Sequence, residues 1–342
     1  MQDMIPRGPI LDVRGLRLSI GGDEGIAKVL DHIDFVLERG RILGLVGESG
    51  CGKSTIIRAI IGILPGGARV EAGTIRFDGI DLLTLGEHVL NISIRGSRIG
   101  FIPQDPYLAL NPVFKVGTQL MEIMRWHAPD DGLGRGGRAR RHRERILALL
   151  RRVQLPDPEG ALERYPHQFS GGQRQRLVIV AALAASPALV IADEPTTALD
   201  VTTQQQILDL LRDLVEEFGL SMLFVTHDLG VVAQLCDDLC VIYAGQTVES
   251  GRTPDILAHP RHPYTKALLA CHPDRADMFN GIPGTVPSPL RPGAGCRFAP
   301  RCADARDFCT GRKPGLTMVD AANRRVDCIL YDLPVAAAAA AQ

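Results

Sequence analysis

Tryptophan occurs once in this 342-residue chain, and aromatic residues make up only 5% of it. Surfaces that read nucleic acid interleave basic residues with aromatics. The net charge of −1 adds no global field that would draw nucleic acid or an anionic membrane. No nucleic-acid partner is therefore expected. Residues 1–14 lack the apolar core of a secretory leader. The most apolar stretch, 177–192, is broken by Ser186-Pro187 and is shorter than the roughly 20 residues that cross a bilayer. A chain neither exported nor membrane-spanning is expected. Its eight cysteines are then thiols or metal ligands, not a disulfide framework.

Charge of one sign gathers in one place. Residues 135–152 hold Arg138, Arg140, Arg141, Arg143, Arg145 and Arg151 around a helical apolar pattern of Ile146, Leu147, Leu149, Leu150 and Val153. Two readings stand, a solvated helix face or a contact with lipid headgroups or a partner.

The chain is organised around Gly47-Glu48-Ser49-Gly50-Cys51-Gly52-Lys53-Ser54-Thr55. An apolar run, 41–46, precedes it and a helical pattern, 56–61, follows. Strand, glycine-rich loop and helix are the context of a phosphate-binding P-loop. Glycines let backbone N–H groups converge on an anion, and the helix adds its positive end. Lys53 can reach the β- and γ-phosphates and Ser54 can ligate Mg²⁺. A second required part is an acidic residue ending a buried strand. Leu189-Val190-Ile191-Ala192 leads to Asp193, suited to Mg²⁺, and to Glu194, placed to polarise an attacking water.

Alternation predicts strands over 10–20 and 29–37, joined by a turn at 21–23, and further strands over 73–77, 99–102, 188–192, 221–225 and 239–243. Helices are expected over 203–218, 229–236 and 264–270. Residues 113–185 read as helical, with Gly132-Leu133-Gly134-Arg135-Gly136-Gly137 as a break. Strands alternating with helices predict a mostly parallel, three-layered α/β core. After residue 258 the composition turns proline-, glycine- and arginine-rich, so an appendage over 259–342 is expected, with the alanine run 336–341 fraying.

Phe169-Ser170-Gly171-Gly172-Gln173-Arg174-Gln175-Arg176 resembles the signature motif of ATP-binding cassette (ABC) ATPases. Gln104 matches the family's Q-loop, Asp193-Glu194 its Walker B pair, Ala198-Leu199-Asp200 its D-loop and His227 its γ-phosphate sensor. Ser170-Gly171-Gly172 also opens an apolar helix, which makes a second anion site. The resemblance implies an α/β P-loop core over 1–258, with an antiparallel β subdomain and a helical insertion at about 106–185. It implies ATP and Mg²⁺ as ligands, with Gln104 joining Ser54 and Asp193 at the metal. It also implies a head-to-tail pair of cassettes, ATP lying between one P-loop and the other's signature, with Glu194, His227 and Gln104 catalytic. The family commonly stacks adenine on an aromatic near the end of the first strand. This chain reads Leu18-Ser19-Ile20-Gly21 there, and Ile20 offers an apolar platform instead.

Three further stretches are similar to the ATPase subunits of oligopeptide, dipeptide and nickel importers. They are Gln104-Asp105-Pro106 with Leu110-Asn111-Pro112 and Val116-Gly117, the run 194–202, and the run 259–269, which opens His259-Pro260-Arg261-His262-Pro263-Tyr264. The resemblance implies a second cassette, which can be a different chain, two membrane permease subunits and an extracytoplasmic peptide-binding protein. The chain would sit at the cytoplasmic face of the inner membrane and drive peptide import. Nickel or another small solute is the alternative cargo, and a soluble ABC ATPase acting on nucleic acid or ribosomes the alternative class. The His-Pro pairs read as turn residues. Cys296, Cys302, Cys309 and Cys328, spaced C-x5-C-x6-C-x18-C, lack the close pair of most zinc sites. Four thiolates in a loop-rich segment suit a [4Fe–4S] cluster, with Zn²⁺ or unligated thiols as alternatives.

Overall fold

Burial of Leu11, Val13, Leu16 and Leu18 carries the first strand, Leu11–Gly22, which pairs antiparallel with Gly25–Leu37. Both strands run beyond their apolar patterns, so the turn shrinks to Asp23-Glu24. Ala68–Phe77 pairs with the other side of Leu11–Gly22 and starts five residues before its apolar alternation does. Gly73, at φ 98°, sits in a register shift where a Cβ would meet the Leu16 Cα at 2.5 Å. Ile80–Asp81 completes this four-stranded sheet.

The computed structural model describes residues 8–129, 132, 134–197, 199–271, 281–319 and 324–332. Leu133, Ala198 and the 336–341 run lie outside them. The chain forms two units. The first takes the described residues up to Glu38, Ile42–Leu83 and those from Thr226 onward, and the second Arg39–Arg41 with Thr84–Val225. The cysteine-bearing tail thus belongs to the same unit as the P-loop.

In the first unit, Ile42–Val46 is buried throughout and pairs parallel with Asp238–Tyr243. From there the pairing turns antiparallel, through Gln246–Arg252 to Arg325–Asp327 and Leu316–Met318. The expectation of a mostly parallel sheet fails here. Ala244 (φ 45°) and Gly245 (φ 79°) both adopt left-handed backbone, which folds the chain back as a two-residue hairpin. Alanine carries no such signal in a sequence.

In the second unit, Ile99–Ile102, Leu189–Asp193 and residues 221–225 of strand Ser221–Thr226 form a parallel ladder. Leu189 to Ala192 and the whole of Ser221–Thr226 are buried, as parallel strands covered on both faces require. Helix Val201–Phe218 is started by Asp200, whose Oδ1 accepts the Thr203 N–H at 3.0 Å. Gly219, at φ 60°, ends it. Helices Val116–His127, Arg135–Arg152 and Gly171–Leu183 lie in the same unit. Arg135–Arg152 starts inside the expected glycine break, with Gly136 and Gly137 already helical. Its arginines turn to local partners. Arg140 pairs with Glu144 at 2.9 Å, Arg152 with Asp213 at 3.3 Å, and Arg145 donates to the Ala184 carbonyl at 2.7 Å. No helix of the described residues is long and apolar enough to cross a membrane.

Candidate functional site

The P-loop starts where the buried strand Ile42–Val46 runs out. A Cβ on Gly47 would lie 2.1 Å from the Ile242 carbonyl oxygen, so no side chain fits there. Gly50 (φ 78°) and Gly52 (φ 105°) take left-handed backbone, and Gly52 opens helix Lys53–Ile61 without a side-chain cap. The loop wraps around the buried Lys53, whose Nζ donates to the carbonyls of Gly47 (2.6 Å) and Glu48 (3.2 Å). Ser54 is exposed, while Ser49 and Thr55 border the same turn. Cys51 faces inward, its N–H on the Glu48 carbonyl at 3.2 Å and its carbonyl accepting the Gly245 N–H at 2.8 Å. Burial pushes its thiol up. Alkylating reagents at neutral pH should therefore label the partly exposed Cys271 well before Cys51, and forced modification of Cys51 should abolish nucleotide binding. Peptide mapping against a binding assay checks both, and binding that survives full Cys51 modification contradicts the second.

Glu48 brings in Tyr264, from the third importer-like stretch, and Arg301, which no motif marked. Its N–H donates to the Tyr264 hydroxyl at 3.0 Å, and its carboxylate meets Arg301 at 2.7 and 3.0 Å. Tyr264 belongs to helix Pro263–Ala270, where His262 Nδ1 accepts the Tyr264 N–H at 3.0 Å. Burial drives the His262 pKa down to about 3, so the ring stays neutral and serves as a cap. The turn reading of the His-Pro pairs agrees with this. His227, also in the first unit, is exposed just past strand Ser221–Thr226.

The second unit holds Gln104, Asp193, Glu194, Asp200 and Ser170 through Gln173. The parallel register of Ile102 with Ala192 sets Gln104 beside Glu194. Gln104 Nε2 donates to Glu194 Oε2 at 3.1 Å, and the Thr197 hydroxyl donates to the same oxygen at 3.1 Å. Glu194 has φ 45°, strained for a non-glycine residue, and its N–H is held by the Val225 carbonyl at 2.8 Å. Asp193, partly buried, ends its strand. Ser170 caps helix Gly171–Leu183 in a reciprocal box. Its Oγ accepts the Gln173 N–H at 3.3 Å, and Gln173 Oε1 accepts the Ser170 N–H at 3.1 Å. Two of the four amides expected to face an anion are thus engaged locally, which leaves those of Gly171 and Gly172 opening the helix. A Cβ on Gly172 would lie 2.8 Å from the Thr203 Cγ2, and Thr203 is itself bonded to Asp200, so signature and D-loop residues pack together. The Arg174 guanidinium lies 4.3 Å from the centre of the Tyr107 ring, three residues past Gln104.

The four tail cysteines line one small cavity of about 20 Å³, with Phe298 and Ile329. Cys296 and Cys302 flank the turn Ala299–Arg301, Cys309 lies in helix Asp307–Gly311 and Cys328 follows strand Arg325–Asp327. Burial raises the thiols of Cys296, Cys302 and Cys328, the last two to about 11 and about 12, and negative charge on neighbouring cysteines adds to the shift. The Arg306 N–H lies 3.4 Å from Cys309 Sγ, a contact suited to a thiolate ligand. Four sulfurs lining one cavity are donor atoms of the kind that metal groups take. Yet no group of three or more His, Cys, Asp or Glu among the described residues stands in metal-holding geometry. The sequence expectation of a formed cluster site is corrected to that extent.

Residues 30–197 match the ABC transporter family model, and residues 248–309 match that of the oligopeptide/dipeptide transporter C-terminal region. A probable peptide ABC transporter ATP-binding protein of Sinorhizobium fredii is 45% identical, over 91% of this chain and 92% of its own. The chain belongs to the ABC transporter ATP-binding subunits. The probable D,D-dipeptide transport ATP-binding protein of Escherichia coli is 43% identical over 94% of this chain and 96% of its own. The oligopeptide transport ATP-binding protein of Salmonella typhimurium is 41% identical over 90% of each chain. Among solved structures, the dimeric ATP-binding cassette MJ0796 bound to ADP and Pi aligns with TM-score 0.61 and 27% identity, over 71% of this chain and 98% of that one. This subunit is accordingly an ATPase coupled to transport, with the ABC cassette fold and with ATP and Mg²⁺ as its expected ligands.

Proposed function

We propose that this subunit hydrolyses ATP at the interface of a head-to-tail cassette pair and thereby drives import of di- or oligopeptides. The observation that carries the reading is the Gln104–Glu194 hydrogen bond, which ties the residue matching the Q-loop to the candidate base. Lys53 and the amides of Gly50, Gly52 and Ser54 hold the β- and γ-phosphates. Ser54, Asp193 and Gln104 serve the Mg²⁺, which supplies charge neutralisation at the phosphates. Glu194 takes a proton from the attacking water, and His227 senses the γ-phosphate. Gly171 and Gly172, with Ser170 and Gln173, present the second anion site to the nucleotide of a partner cassette, and Asp200 faces that interface.

The helical stretch at about 106–185 acts as an insertion that receives the permeases. Leu108 is 84% exposed there, and Tyr107, Val113 and Phe114 are exposed nearby in sequence, apolar side chains suited to a protein contact. Through Gln104, a permease pressing on those side chains would move the hydrogen-bond donor of Glu194. Two permeases, a second cassette and an extracytoplasmic peptide-binding protein complete the assembly, with this subunit peripheral at the cytoplasmic face of the inner membrane. The peptide-transport names of its relatives support the cargo. Pull-down from detergent-solubilised membranes should recover two permeases. Reconstituted with them and the binding protein in proteoliposomes, the ATPase should rise several-fold with added peptide. Stimulation by nickel instead of peptide would overturn the cargo.

The residues 259–342 act as a cysteine-rich extension in which Cys296, Cys302, Cys309 and Cys328 would hold a [4Fe–4S] cluster. Such a group would tie together the segments that carry these cysteines. Anaerobically purified protein should show a broad brown absorbance near roughly 400 nm and about four iron atoms per chain. A colourless protein with stoichiometric zinc would remove this reading.

A further inference from the structure

The fork of contacts on Glu48 joins the tail to the nucleotide loop. Arg301 sits at the end of the turn Ala299–Arg301, between Cys296 and Cys302 in sequence. Its side chain is only 3% exposed, and each of its guanidinium nitrogens is engaged. Nε donates to the Pro283 carbonyl at 2.9 Å and NH2 to the Ile282 carbonyl at 2.8 Å. NH1 meets Glu48 Oε2 at 2.7 Å and the Tyr243 hydroxyl at 3.4 Å, while NH2 meets Glu48 Oε1 at 3.0 Å. This is a two-pronged, charge-assisted pair, buried on the Arg301 side and partly open to solvent at Glu48, in which direction as well as distance is set. Phe298, three residues earlier, packs on Tyr243 and Tyr264 with ring centres 5.1 and 5.4 Å apart. Tyr264 in turn holds the Glu48 N–H.

Glu48 therefore has its side chain, its amide and its carbonyl all committed, the last to Lys53 Nζ. It is the one side-chain-bearing residue between Gly47 and the left-handed Gly50 that something outside the loop grips. The glycines that let the loop cradle an anion also let it wander, and the Lys53 Nζ and Cys51 N–H contacts to the Gly47 and Glu48 carbonyls restrain it only from within. The geometry points to Arg301 as a positioning residue of the ATP site. By gripping Glu48, the turn between Cys296 and Cys302 keeps the P-loop in its anion-binding conformation. Without that grip the loop samples other conformations, and the apparent affinity falls by the fraction that remains competent. The effect acts on binding, since Arg301 touches no group that reacts.

This inference rests on the P-loop being the nucleotide site. The test measures binding of a fluorescent ATP analogue to the full chain, for wild type, Arg301→Ala, Glu48→Ala and the double variant, with melting temperatures alongside. Each single change should weaken binding at least tenfold, and the double should be no weaker than the worse single, because both remove one interaction. In the assembled transporter, KM for ATP should rise by a similar factor with kcat little changed. Should Arg301→Ala fail to fold, Arg301→Lys keeps the charge but not the fork, and should weaken binding by a smaller, still measurable factor. Unchanged affinity in Arg301→Ala or in a folded Arg301→Lys, or single effects that multiply in the double, overturns the inference. Wild type that does not bind the analogue overturns the P-loop reading itself.

Discussion

Glu194→Gln lowers ATP hydrolysis by about 10²- to 10⁴-fold, the usual worth of a positioned general base. Binding of ATP survives, because the substitution touches neither the P-loop nor Lys53. The amide has the size of the carboxylate and can still accept from Gln104 and Thr197, which now reach it at 3.1 Å each. The main loss is the ability to take a proton. The strained backbone at Glu194 points the same way, since φ 45° is kept only where surrounding contacts enforce it. The Val225 carbonyl on the Glu194 amide is one such contact. Single-turnover hydrolysis and equilibrium binding on the same preparation separate the two effects. Hydrolysis at the wild-type rate would reassign the base.

The second large effect concerns stability. Glu249, wholly buried in strand Gln246–Arg252, accepts from Arg324 at 2.6 Å, from the Arg261 N–H at 3.0 Å and from the His262 N–H at 3.0 Å. Arg324, with a side chain 4% exposed, is the cationic partner in this ion pair. Arg324→Ala would leave a carboxylate in a dry site with only amide donors. Breaking a buried pair from one side costs about 3–5 kcal/mol. For a protein of this size that lowers the melting temperature by roughly 10 °C. The Glu249 contacts to residues 261 and 262 start the helix that carries Tyr264, so the loss should reach the nucleotide loop as well. A melting temperature within about 2 °C of wild type would show that the pair contributes little.

The P-loop, the acidic strand end and the signature helix were all legible because each is a local pattern. Burial of Ile42–Val46, the caps at Ser170 and Asp200, and the glycines at 47, 50 and 52 act within a few residues of one another. The parallel strands were legible for a similar reason, since burial on both faces demands an unbroken apolar run. The hairpin at Ala244-Gly245 was not, because its left-handed alanine is imposed by neighbours. The early part of Ala68–Phe77 was missed because it is held by ladder hydrogen bonds and not by buried side chains.

By itself, then, the sequence marked residues 47–55 as the candidate triphosphate loop and placed the chain among the ABC ATPases. Short-range geometry sufficed for that. Only the tertiary structure decided what holds the loop in place. Glu48 finds Tyr264 216 positions away and Arg301 253 positions away, across separations no local pattern can encode. It likewise decided that Gln104 meets Glu194, since a register between strands some 90 residues apart is set by the packing of whole faces.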